Sequence, residues 1–394
     1  MRCFGSNCTL IRFRRIMIST VLLSSAGFLS IGLFETASPD PGVVLGIASV
    51  AANAAAKPNK LDPARVMGAK ACYECHKAEF EQWMKTVHYH NNDRLSTQAA
   101  LKYAAVLNIN KDNISKDSLC VTCHATAQKN SAGEVHAISG VSCESCHGHA
   151  GGQPGWLNRH AVYGTKGTKR GQETAEHLKE RITFCLEQGK VGPNELYGMA
   201  KKCYGCHIVG NEDLIAKAGH KAGTATFEFS SWSNSEVRHN FHIDQTKNAE
   251  VSSLWLNPVG ADAGENHSAA NRRRQMYVIG ILAELETRLR IRATTKNPVF
   301  IGQIVATIPG NTFAKLAQIN AIAGTEETKQ IAGSLPILLG RLFAPQPTDE
   351  KFFIDEANKV EAAAKSFLAN HDGSKLGGLD VFIPKPHNSE NYKP

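Results

Sequence analysis

Apolar residues recur with helical spacing in two stretches before residue 110 and in three stretches after residue 270, and strand alternation is scarce throughout. Phe80, Trp83, Met84 and Val87 predict an amphipathic helix from Lys77 to His88, and Leu95, Ala99, Tyr103 and Val106 predict another. Asp62-Pro63 reads as a helix start, an N-cap followed by proline in the first turn. Near the other end, Val278, Ile281, Leu282, Leu285 and Leu289 outline a strong amphipathic helix after Asn271. Thr325-Glu326-Glu327 opens a second, which Pro336 is expected to break. Phe353, Ala357, Val360, Ala364 and Phe367 form a third, ending at Asp372-Gly373. Between these groups, about residues 62–245 hold long stretches of weak periodicity, such as Gly148 to Arg170.

The pattern divides the chain into four parts. Residues 1–56 carry Arg2, Arg12, Arg14 and Arg15 ahead of an uncharged apolar run, Ile16 to Phe34, and two small-residue sites near Ala52 to Ala56. That is the layout of an exported leader, with a retained membrane anchor as the alternative. Residues 57–260 form the weakly periodic domain, 261–378 a helical domain, and 379–394 a proline-bearing extended tail. Removing the leader takes four arginines, Glu35 and Asp40 from a net charge of +8 and leaves +6. The basic residues are scattered, without the stripe that nucleic acid requires. Arg272, Arg273 and Arg274 oppose the dipole at the start of their helix and call for a partner.

Eight of the eleven cysteines sit in four copies of C-x-x-C-H. They are Cys72-x-x-Cys75-His76, Cys120-x-x-Cys123-His124, Cys143-x-x-Cys146-His147 and Cys203-x-x-Cys206-His207. At this composition, random placement yields about 0.01 copies. A structural zinc site has no use for a histidine directly after each second cysteine. A redox dithiol needs one pair rather than four. Covalent c-type haem needs two thiols for the porphyrin edge and a histidine against the iron, and it explains every copy. Four haem c groups, with His76, His124, His147 and His207 as proximal ligands, therefore follow. A chain wrapped around four flat apolar cofactors needs less regular structure of its own, which accounts for the weak periodicity. The fold class is mainly α: a multihaem cytochrome domain with little regular sheet, then a C-terminal helical unit. Met67, Met84, Met199 and Met276 are read as packing residues and Cys185 as a buried, inert thiol.

About 180 residues resemble the cytochrome c-554 family of exported tetrahaem cytochromes. The likeness rests on Lys70-Ala71-Cys72-x-x-Cys75-His76-Lys77-Ala78 with Trp83 and His88, on Cys120-Val121-x-Cys123-His124, on Gly140-Val141-Ser142-Cys143-Glu144-Ser145-Cys146-His147-Gly148, and on the fourth motif. The run around Glu144 is the most specific, since haem attachment does not require most of it. The resemblance implies closely stacked haems, three with two histidine ligands and one, at the second motif, with an open iron position. It places distal ligands at His88 for the fourth haem, with His90 as alternative, and at His160 for the first, with His149 competing. One of His239 and His242 would serve the third. His136, His177, His220, His267, His371 and His387 have no such support and are read as solvent-facing, although His136 and His149 lie near enough in sequence to close the second site. The family usually has Gly-Pro where this chain has Gly148-His149, and its founding member carries a far shorter tail.

The function implied is electron transfer between redox protein partners, with electrons arriving from a hydroxylamine-oxidising system. The alternative is an enzyme converting nitric oxide, nitrite or hydroxylamine at one five-coordinate haem. All four motifs end in histidine, which favours the carrier.

Overall fold

The computed structural model describes residues 61–116, 119–169, 172–192, 195–234, 269–306, 308–342 and 349–387. The leader, His239, His242 and His267 lie outside them. The described chain is mainly α with one small antiparallel sheet. None of its helices is long and apolar enough to cross a membrane.

The first three motifs lie among short elements: α1 (Ala69–Tyr73), α2 (Lys77–Trp83), α3 (Val87–His90), α4 (Gln98–Val106), α5 (Val121–His124), β1 (Thr126–Lys129), β2 (Val135–Ser139) and α6 (Cys143–His147). The helix expected from Lys77 to His88 is two helices. Buried Thr86 has extended backbone angles, donates its hydroxyl to the Trp83 carbonyl at 2.7 Å and accepts the Tyr89 N–H at 3.3 Å, so it ends α2 and caps α3. Thr97 does the same for α4, leaving Leu95 in a preceding 3₁₀ turn. Asp62 makes only a turn, accepting from Ala64 N, and the first helix begins at Ala69.

Helices α7 (Leu157–His160), α8 (Ala175–Glu187), α9 (Leu196–His207), α10 (Glu212–Ala216) and α11 (Phe229–Ser233) follow. The C-terminal helices are α12 (Ala269–Thr294), α13 (Pro298–Val305), α14 (Ala314–Ala323), α15 (Glu326–Leu342) and α16 (Glu350–Asn370). The expected break at Pro336 is absent: α15 runs through it. Pro336 itself is exposed, while Leu335 and Leu338 beside it are buried and hold the helix to the core across the lost hydrogen bond.

Helix α12 departs from a simple amphipathic surface helix, because its polar face is buried as well. Tyr277, Ile281, Leu285 and Leu289 pack against Phe353, Val360 and Phe367 of α16, and the same apolar cluster takes in Leu196, Ala200 and Tyr204 of α9. Four of the charges in its middle are paired. Glu286 bonds Lys201 of α9 and Arg290, Arg290 also reaches Glu361 at 2.8 Å, and Glu284 holds Arg288 at 2.9 Å. The helix that carries the fourth motif is thus tied to α12 by apolar and ionic contacts together.

Within the arginine run, Arg274 takes a protein partner. Arg274 grips both carboxylate oxygens of Asp380 at 2.7 and 2.6 Å and donates to Asn271 Oδ1 at 2.8 Å. Of the tail expected to be extended, the described residues 379–387 lie against the bundle: Leu379 is fully buried, the Lys385 carbonyl accepts from Ser231 Oγ, and His387 stacks on Trp232 at 3.9 Å.

Candidate haem site

The first three motifs sit on or just after a helix of four or five residues and the fourth ends the twelve-residue α9, and the helical turn sets the two cysteines of each three residues apart on one side. All eight motif cysteines are free thiols, and none of the described cysteines is in a disulfide. The motifs approach one another in twos. The thiols of Cys72 and Cys143 lie against each other, as do those of Cys123 and Cys206, so the first motif meets the third and the second meets the fourth.

The segment around Glu144 explains its own specificity. The Glu144 carboxylate, buried in α6, accepts the backbone N–H of Met67 at 3.0 Å, Gly68 at 2.7 Å and Ala150 at 2.8 Å. It fastens the third motif to the strand of chain leading into the first. Gly140 lies so close to α3 that a Cβ would fall 2.2 Å from the His88 carbonyl oxygen. Trp83 donates its indole N–H to the Val141 carbonyl at 2.8 Å, binding α2 to the same run.

Three motif histidines stand opposite a second histidine. His76 faces His160 with ring centroids 6.2 Å apart and planes at 25°. His207 faces His88 at 6.2 Å and 87°, and His124 faces His220 at 6.2 Å and 73°. A metal sits about 2 Å from a ligating imidazole nitrogen and the ring centroid roughly 1 Å further back, so two imidazoles on one ion stand about 6 Å apart. The donor pairs therefore fit an iron between them. A porphyrin also fits the apolar side chains left at the surface beside the motifs, Tyr73, Met84, Val87 and Tyr89. No group of three or more His, Cys, Asp and Glu side chains forms a metal cage among the described residues.

The far nitrogens are oriented for ligation. Nδ1 of His160 donates to the Leu157 carbonyl at 2.9 Å, and that of His147 to the Val191 carbonyl at 2.8 Å. A carbonyl only accepts, so each Nδ1 carries the proton and Nε2 keeps its lone pair. Nδ1 of His207 meets Thr224 Oγ1 at 3.0 Å. Burial pushes His88 down to about 4. It pushes His124 down to about 4 as well, with His220 and Arg94 adding to it. His207 falls to about 3, through burial and then the charge of His88. All three imidazoles are neutral at pH 7, the form that binds a metal.

The other histidines divide. His149 is turned elsewhere, its Nδ1 accepting the Asp62 N–H at 3.3 Å, and His90 and His136 are exposed. His220, read from sequence as solvent-facing, is half-buried against His124, and nothing local in the sequence marks it. His177 and His371 are likewise partnered rather than free in solvent, by Glu173 at 2.6 Å and Glu327 at 3.0 Å. Met199 and Met276 join the large core, whereas Met67 and Met84, at a loop and a helix end, are exposed. Cys185 is buried beside Trp156.

The family model for cytochrome c554 and c-prime matches residues 71–148, which hold the first three motifs. The chain is also similar to cytochrome c-554 of Nitrosomonas europaea, 30% identical over 137 residues, a span of 30% of this chain and 56% of that protein. It thus spans about half the length of the curated relative it matches. No solved structure matches. Residues 71–148, with three C-x-x-C-H motifs and the Glu144 clamp that joins the first to the third, are thus similar to the cytochrome c-554 family.

Proposed function

We propose that this is an exported tetrahaem c-type cytochrome that carries electrons between redox proteins, accepting them from a hydroxylamine-oxidising system. The observation that carries the reading is the set of opposed histidines: His76 with His160, and His207 with His88, at the separation two axial imidazoles require. Haem bound at these sites supplies one-electron chemistry without proton or group transfer. The chain's own part is to hold both faces of each iron, so that neither site offers substrate a vacant position. The Nδ1 bonds of His160 and His207 fix ring orientation and keep Nε2 aimed inward. Cys72 lies against Cys143 and Cys123 against Cys206, so haems held by these thiols would be neighbours within each pair, which suits rapid electron passage. One of His239 and His242 completes the third site, and residues 1–56 direct the chain to the compartment where haem is attached.

Intact mass and pyridine haemochrome of the purified protein test the count, with four covalent haems per chain expected. Replacing Cys143 or Cys146 by Ala should cost one haem. Edman sequencing of the mature protein locates the leader cleavage. Steady-state assays with nitrite, nitric oxide and hydroxylamine should show no turnover, whereas reduction by a hydroxylamine-oxidising enzyme should proceed. Turnover of any of the three, or bound zinc in place of haem, would overturn the proposal.

A further inference from the structure

We propose that His220 is the sixth ligand of the haem held by Cys120 and Cys123, closing the one iron that the family resemblance leaves open. The inference rests on the reading of the second motif as a haem c site. His220 stands 6.2 Å from His124, ring centroid to ring centroid, the same separation as in the His76/His160 and His88/His207 pairs. Both rings engage their Nδ1 with a partner other than the facing histidine. That of His124 donates to Asn91 Oδ1 at 3.3 Å, and the amide of Asn91 is oriented by its own bond to the Cys123 carbonyl at 3.1 Å. That of His220 donates to the Lys221 carbonyl at 2.7 Å, so its Nε2 retains the lone pair a metal needs.

The backbone holds His220 there. Asn211 caps α10, whose Leu214 and Ile215 are buried. Gly219 then takes a left-handed φ of +78°, turning the chain so that the His220 N–H reaches back to the Leu214 carbonyl at 3.0 Å. The Tyr103 ring of α4 packs edge-on against the imidazole, 5.4 Å between centroids. The two rivals are elsewhere: His136 is exposed on β2, and His149 bonds Asp62. With a protein nitrogen on each side of the iron, this haem is built to relay electrons and must lose His220 before a small ligand binds.

The test compares carbon monoxide bound per reduced chain, and ferric spin state by electron paramagnetic resonance, in wild type, His220→Ala and His220→Met, each with its haem count. His220→Ala should bind one more carbon monoxide per chain than wild type and gain one high-spin ferric signal, with the haem count unchanged. His220→Met should restore the low-spin state and raise that haem's potential, since thioether replaces imidazole. Equal carbon monoxide stoichiometry in wild type and His220→Ala, at full haem count, would overturn the ligand assignment. Should the Ala variant fail to mature, a wild-type high-spin signal that Cys120→Ala abolishes would overturn it equally, and absence of such a signal would support it. A wild-type protein lacking haem at Cys120 and Cys123 would defeat the underlying reading rather than this inference.

Discussion

Removing the Glu144 carboxylate should loosen the joint between the first and third motifs before anything else. The side chain is 1% exposed and accepts three backbone N–H groups, from Met67, Gly68 and Ala150. A hydrogen bond to a charged group contributes about 1.5–3 kcal/mol, and an orphaned buried donor costs about 1–3 kcal/mol. Three such donors share one acceptor group, so their losses overlap, and Glu144→Ala is expected to cost about 3–6 kcal/mol. Glu144→Gln keeps the shape and one accepting oxygen but turns an NH₂ group towards an amide N–H, for about 2–3 kcal/mol. Guanidinium denaturation of the holoprotein measures the total, and amide hydrogen exchange locates it. Met67, Gly68 and Ala150 should lose protection first, followed by α1, which begins one residue past Gly68 and carries Cys72. Midpoints for the Ala variant that match wild type, or lost protection spread evenly over the chain, would refute the idea of a local clamp.

Glu286→Ala should leave Lys201 and Arg290 facing each other inside the bundle, at a cost of about 3–5 kcal/mol, visible as a lower Tm, with Glu286→Gln intermediate. Burial raises the carboxyl of Glu327, but hydrogen bonds from Asn370, its own backbone, Ser366 and His371 outweigh it and bring the group down to about 2. Its stabilising contribution is therefore full above its usual value of 4.5 and lost as pH falls towards 2. With allowance for solvent screening it amounts to about 1 kcal/mol, and Glu327→Gln should flatten the stability profile between pH 5 and about 2 by that amount. Cutting an introduced protease site between residues 234 and 269 should leave two fragments that co-elute, because Leu196, Ala200 and Tyr204 share the α12 cluster; release of a colourless fragment would contradict that packing.

The four C-x-x-C-H motifs were legible in the sequence because each is local. A single turn, closed by the His76 N–H on the Cys72 carbonyl, gathers Cys72, Cys75 and His76 without help from the rest of the chain. Helical periodicity likewise announced α12 and α16, whose apolar residues repeat within a few turns. Tertiary structure decided whatever joins distant segments. The expected helix from Lys77 to His88 divides at Thr86, whose hydroxyl satisfies both flanking helix ends. Pro336 stays inside α15 because buried Leu335 and Leu338 hold both sides of it. Arg274 finds Asp380 across more than a hundred residues, and Glu144 finds the amides of Met67 and Gly68. The same holds for the second histidine of each pair. His220 is one histidine among sixteen in the sequence, and only the turn at Gly219, seated on the buried end of α10, brings it opposite His124. A motif is written by neighbours along the chain, whereas a facing ligand is chosen by packing, which places residues by the surfaces they bury and not by their order.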